Sequence, residues 1–288
     1  MSHRKSSFAI LFLSVSIFFS GCLTVPTTPE RLTTADTIAG KANFKRVWLR
    51  TPPFFLTVYE KIQTPGQPLH VYIEGDGYAW VTRTRISGDP TPRRPLALEL
   101  AAKDPAANVV YLARPCQYTP KKVDYACDDA YWTDKRFSEP VVNSMDQAVE
   151  WFKKKAQSPS VDLIGYSGGG AVAVLIAARR QDVKSLRTVA GNLDPAGLNE
   201  YHRVSPMDEK SLDPMEVAGK VAAIPQYHFI GGEDKVVPAL ISENFSKKAT
   251  PSACVHVMRV DGADHVNGWT ENWSQLLALP LDCSVNKK

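Results

Sequence analysis

The sequence predicts an α/β chain: a mostly parallel central sheet with helices on both faces. Short apolar runs rich in β-branched residues alternate with segments whose apolar residues recur at helical spacing, and strands separated by helices pair in parallel under cover on both sides. The 288 residues, 44% of them apolar, suffice to bury such a sheet within one domain. Each polar, glycine-containing cluster follows an expected strand, which gathers these clusters at the carboxyl ends of the strands, where such sheets carry their chemistry.

Taken in order, His3, Arg4 and Lys5 precede an apolar run from Phe8 to Phe19 that is too short to span a bilayer and ends in Ser20-Gly21-Cys22. That is the layout of a secretory signal. From Leu23 to about Lys41 the stretch LTVPTTPERLTTADTIAGK is rich in threonine, has two prolines and shows little apolar periodicity, which predicts a flexible tether. The expected organisation is a leader over 1–21, the cysteine and tether over 22–43, and one domain over 44–288. In that domain Val47 to Arg50 and Phe54 to Tyr59 read as an opening pair of strands, and LHVYIEG from Leu69 as a buried strand ending in glycine turns. A short helix over Leu96 to Ala102 leads to the strand NVVYLAR from Asn108. Val141, Met145, Val149 and Phe152 then fall on one helical face before the strand VDLIGYS from Val161. Ala171 to Ala178 reads as a helix; SLRTVAG from Ser185, QYHFIGG from Gln226 and CVHVMRV from Cys254 read as the remaining strands. Residues 195–225 interrupt this rhythm with mostly polar sequence and suit a small cap over the strand ends.

The net charge of +4 falls by two when Arg4 and Lys5 leave with the leader, and the lysine run at 153–155 is the solvated face of a helix without interleaved aromatics. Nucleic acid is therefore not an expected partner. Apart from Cys22 there are four cysteines, Cys116, Cys127, Cys254 and Cys283, an even number in an exported chain, which predicts two disulfides. Proximity in sequence favours Cys116 with Cys127 and Cys254 with Cys283; three pairings are formally open. The spacings do not match a structural zinc site, so no metal is expected.

The chemistry centres on Ser167, which lies in Gly165-Tyr166-Ser167-Gly168-Gly169 between an expected strand and an expected helix. This is the context that G-x-S-x-G requires: a tight turn that exposes the serine while the following N–H faces a developing oxyanion. That donor would be Gly168. GGEDKVVP and DGADHVNGW follow later strands and supply Asp234 and His265.

With these motifs in this order the chain resembles the α/β-hydrolase family over essentially everything after the tether. The resemblance implies Ser167 as nucleophile, His265 as its base and Asp234 as the acid that orients the imidazole. It leaves Asp194 as an alternative acid, ahead of Asp264 and Glu233. The second oxyanion N–H would come from Asp76, or from Gly77 beside it, in Glu74-Gly75-Asp76-Gly77, where many relatives carry His-Gly. Glu74 departs from that pattern, so its carboxyl must point elsewhere or be paired. The segments RPCQY from Arg114 and YWTDKRFS from Tyr131 are placed to shape an acyl pocket or simply to pack, and His202 reads as structural. FFSGC at 18–22 resembles a bacterial lipoprotein signal, with Phe19 departing from the usual aliphatic residue. That resemblance implies lipidation of Cys22 and, with Leu23 next, an envelope protein anchored in the outer membrane and facing the periplasm.

The expected function is thus a lipid-anchored serine hydrolase that cleaves carboxylic esters or a related acyl bond of a small or lipid-like substrate through an acyl-enzyme and without a cofactor, with thioesterase, amidase or peptidase activity open on the same triad. Two other classes compete. Gly168-Gly169-Gly170-Ala171-Val172-Ala173 can be read as a weak dinucleotide fingerprint, and a hydrolase-like fold can serve as a non-catalytic binding protein. The sequence specifies neither the acyl group nor an oligomeric state.

Overall fold

Alternation with a period of two sorts the strand residues onto two cores. In the computed structural model, which describes residues 25–120, 123–249 and 253–283, Phe54, Leu56 and Val58 of β2 (Phe54–Ile62) face one core and Tyr59 the other. Leu69, Val71 and Ile73 of β3 (Leu69–Ile73) likewise oppose Tyr72, and Val161 and Leu163 of β5 (Val161–Tyr166) oppose Ile164 and Tyr166. With β1 (Lys45–Thr51), β4 (Asn108–Leu112), β6 (Val183–Val189), β7 (Gln226–Gly231) and β8 (Val255–Val260) they form one eight-stranded sheet in the order β1-β2-β4-β3-β5-β6-β7-β8. β1 and β2 pair antiparallel, β2 meets β4 antiparallel, and every later pairing is parallel.

Helices cover both faces. α3 (Glu139–Lys155), α4 (Gly168–Ala177), α6 (Pro214–Val221) and α7 (Ala239–Lys248) pack on the first core. α1 (Thr28–Lys41), α2 (Leu96–Ala102) and α8 (Trp269–Leu277) pack on the second, where Trp269 and Trp273 are fully buried. Both expected disulfides are present, Cys116 with Cys127 and Cys254 with Cys283, with Cα atoms 5.5 and 4.1 Å apart.

The described structure corrects the tether. From Thr28 the chain is the helix α1, whose Arg31, Ala35 and Ala39 are buried against the domain. Glu30 accepts from the Thr27 N–H at 2.7 Å, half of a capping box, and the hydroxyls of Thr33, Thr34 and Thr37 bond back to carbonyls four residues earlier. That local bonding lets a threonine-rich stretch stay helical. The leader and Cys22 lie outside the described residues.

The cap is corrected in part. α6 belongs to the main helical layer, because Ala218 and Val221 sit in the first core beside α4 residues. Only α5 (Pro195–His202) and the loop after it reach over the strand ends, where Leu198, His202, Val204 and Met207 line a cavity.

Candidate active site

β5 delivers Ser167 directly into the first turn of α4, with backbone angles φ 51° and ψ −122°. A serine at positive φ is strained. Three backbone bonds hold it there: its N–H donates to Val189 O at 2.9 Å, and its carbonyl accepts from Asn192 N–H and Gly170 N–H, each at 2.9 Å. The flanking glycines are required sterically. A Cβ on Gly165 would overlap the Gly169 carbonyl, and one on Gly169 would overlap the carbonyl oxygen of Ile73 at the end of β3.

His265, in the loop after β8, places Nε2 3.1 Å from Ser167 Oγ. Its Nδ1 lies 2.9 Å from Asp234 Oδ2 in the loop after β7. The Asp234 side chain is fully enclosed, and its other oxygen accepts the Val236 and Val237 N–H groups at 2.8 and 2.9 Å. A carboxylate so placed fixes the tautomer: Nδ1–H donates to Asp234, leaving Nε2 to accept the serine proton. The imidazole loop is itself tied down, since Tyr166 Oη–H donates to His265 O at 3.1 Å and Arg94 donates to Val266 O at 3.2 Å.

The rival acids have other partners. Asp194 caps α5 through the Gly197 N–H at 2.9 Å and accepts from Asn244 Nδ2 at 2.9 Å. Asp264 accepts from Asn267, through side chain and backbone, and from the Val266 N–H; these bonds hold its carboxyl below the usual carboxylate range.

The loop after β3 packs on the serine turn. A Cβ on Gly75 would lie 3.1 Å from Ser167 Cβ, and one on Gly168 would collide with the Asp76 carboxylate. Among the described residues, the N–H groups of Asp76 and Gly168 donate to no protein acceptor. Gly77, at φ 68°, faces the Pro90 carbonyl instead, beside the bond from Tyr78 N–H to Pro90 O at 2.9 Å. Of the two candidate donors, Asp76 rather than Gly77 thus abuts the serine turn, beside Gly75. Glu74 is turned into the protein: it is 1% exposed, and accepts from the Gly75 N–H at 2.9 Å and the Tyr111 hydroxyl at 3.1 Å. Burial pushes its carboxyl up to about 7.

No family model matches this chain, and no curated protein matches it in sequence. Solved structures do. An esterase from Pyrococcus furiosus is similar with a TM-score of 0.57 at 13% identity, over 83% of this chain and 92% of that one. Est1E from Butyrivibrio proteoclasticus is similar at 0.56 and 13% identity, over 81% and 97%. An acylaminoacyl peptidase from Pyrococcus horikoshii is similar at 0.58 and 13% identity, over 80% of this chain and 38% of that longer one. The fold is the α/β-hydrolase fold.

In an α/β-hydrolase sheet the strand ends frame a cleft, and here Ser167 and His265 line a cavity of about 970 Å³. Tyr78, Trp80 and Trp132 supply its aromatic wall, Arg83 and Arg93 its cationic edge. Trp132 thus lines the pocket, whereas Tyr131 packs edge-on against Phe54 at 4.9 Å and serves the core. His202 bridges cap and wall, its Nε2 at 2.7 Å from Val236 O. Among the described residues no group of three or more His, Cys, Asp and Glu is placed to hold a metal ion.

Sequence reasoning missed three residues around the β3 loop. Arg114 Nη1 and Arg136 Nε lie 3.3 and 3.1 Å from the two oxygens of Asp76, and Gln117 Nε2 donates to Gly75 O at 2.9 Å. Their one signal was position: Arg114 and Gln117 lie in RPCQY just after β4, and Arg136 in the segment YWTDKRFS.

Proposed function

We propose that this chain is a serine hydrolase that cleaves carboxylic esters, or a related acyl bond, through an acyl-enzyme on Ser167. The observation that carries the proposal is the continuous hydrogen-bonded line from Ser167 Oγ through His265 to the enclosed Asp234, at 3.1 and 2.9 Å. His265 takes the Ser167 proton as Oγ attacks the substrate carbonyl, and Asp234 stabilises the imidazolium that results. The oxyanion forms against the Asp76 and Gly168 N–H groups. His265 then protonates the leaving group, and water repeats the sequence to release the acid.

The aromatic wall supports an acyl or aryl group, and the line Ser167–His265–Asp234 argues against a role restricted to binding. With Cys22 as a lipid anchor, the enzyme would work at the surface of the bacterial envelope.

Fluorophosphonate labelling with peptide mapping tests the reaction. One adduct is expected on Ser167, lost in Ser167→Ala and His265→Ala, with turnover of a p-nitrophenyl ester falling by about 10⁴-fold or more in both. A folded wild-type protein with neither adduct nor turnover would sink the proposal in favour of a binding protein. Parallel ester, thioester and anilide substrates set the bond preference. Incorporation of labelled palmitate that survives in wild type and vanishes in Cys22→Ala tests the anchor.

A further inference from the structure

The Gly75–Asp76 peptide carries two groups that matter together. Its N–H is the oxyanion donor proposed above, and its carbonyl accepts from Gln117 Nε2 at 2.9 Å. In a trans peptide the C=O and N–H point in opposite directions from a rigid plane. Holding the Gly75 oxygen on one side therefore aims the Asp76 N–H at the other, toward the serine turn against which Gly75 and Asp76 pack.

Gln117 is itself oriented. Its Oε1 accepts the Arg114 N–H at 3.0 Å, and its own N–H donates to Arg114 O at 3.1 Å, closing a small ring. Arg114, 4% exposed, then reaches Asp76 Oδ1 at 3.3 Å. Both residues that flank Gln117 are non-glycine residues at positive φ, Cys116 at 72° and Tyr118 at 58°. Such a backbone persists only where its surroundings over-determine it. The Cys116–Cys127 bridge holds one side, and the other is held by Tyr118, buried, whose N–H donates to Thr91 Oγ1 at 2.8 Å.

We infer that Gln117 is the positioning residue of the oxyanion donor, and that Arg114 and the Cys116–Cys127 disulfide keep it in place. This rests on Ser167 being the nucleophile, and it makes that disulfide a requirement for turnover as well as for stability.

The test uses Gln117→Met, which removes both amide functions at similar volume, and Gln117→Glu, which keeps the acceptor for the Arg114 N–H but loses the donor to Gly75 O. An aliphatic trifluoromethyl ketone is the probe. Ser167 Oγ bonds to its carbonyl carbon, the C=O pair moves onto oxygen as an oxyanion, and the serine proton goes to His265. Both variants are expected to lose about 10- to 100-fold in kcat with KM little changed, and to bind the ketone more weakly by the same factor. Cys116→Ser/Cys127→Ser is expected to move kcat and ketone affinity in the same direction. A structural role alone would lower Tm and leave kcat per folded molecule and ketone affinity at wild-type values, and that result overturns the inference while the hydrolase proposal stands. A wild-type protein that neither turns over esters nor forms the Ser167 adduct removes both together, so the two failures are told apart.

Discussion

Glu74 shows how one residue can be both a departure from pattern and a measurable quantity. Its carboxyl ionises at about 7 in the folded protein against an ordinary 4.5, because it is buried. The folded state therefore holds this proton to higher pH than the unfolded state does. The contribution to stability is full below about 4.5, declines as pH rises through 7, and amounts to about 3 kcal/mol at most. Glu74→Gln should be more stable than wild type at pH 8 and equal to it at pH 4, as urea unfolding at both pH values would reveal; an equal gain at both would point to packing. The acid is a second matter at this scale. Asp234→Asn should lower kcat by about 10²- to 10⁴-fold, whereas Asp194→Asn, which keeps an oxygen for the Gly197 N–H but not the acceptor for Asn244, should cost about 1 kcal/mol and leave kcat within a few-fold. Equal losses of turnover would remove the distinction between them. Ser167, Asp234 and His265 were legible because each follows its own strand with glycines beside it. Gln117 and Arg136 were not, because they act through a peptide plane and a carboxylate on a different loop, and no spacing within the sequence encodes that meeting.

At the level of elements, the inner strands β3, β4 and β5 were legible because both their faces are buried and filled mostly by apolar residues, while the edge strands β1 and β8 were legible from their β-branched and aromatic content although largely exposed or half-buried. α1 was missed although its signals were in the sequence. Leu32, Ala35, Ile38, Ala39 and Ala42 recur at helical spacing, and Thr27 with Glu30 forms a capping-box pattern. Threonine and proline in the same stretch masked them. α4 began three residues earlier than expected, at Gly168, because glycines discourage a helix assignment by propensity. Here close neighbours demand them: the Asp76 carboxylate at Gly168, the Ile73 carbonyl of β3 at Gly169, and Gly191 at Gly170. The same substitution should consequently have opposite effects in two helices. Gly169→Ala meets the Ile73 carbonyl and should cost at least 1–3 kcal/mol; Gly219→Ala in α6 meets nothing within 4 Å and should add about 0.5–1 kcal/mol. Thermal melts of the pair would settle it, and matching signs would mean that the close approach of α4 to β3 is less rigid than described.

Across the whole molecule, the fold class could be read from the alternation of elements, while the extent of the domain could not. α1 joins the second core, where Asp36 accepts from the Tyr59 hydroxyl at 2.8 Å and Arg31 donates to Thr91 O. Starting the chain at Asn43 should therefore lower Tm by on the order of 5–10 °C, measured by calorimetry on the purified domain. An unchanged Tm would restore the tether.

The bond between Ser167 and His265 joins residues 98 positions apart. A chain made from its N-terminus presents the serine turn long before β8 and the loop after it exist. During synthesis the hydroxyl has no imidazole beside it, and any product that stops short of His265 never acquires one. On the proposed function, reactivity would thereby be a late event in the life of each molecule, acquired only once the last strand has paired, so that nascent and prematurely ended copies would lack the activated serine.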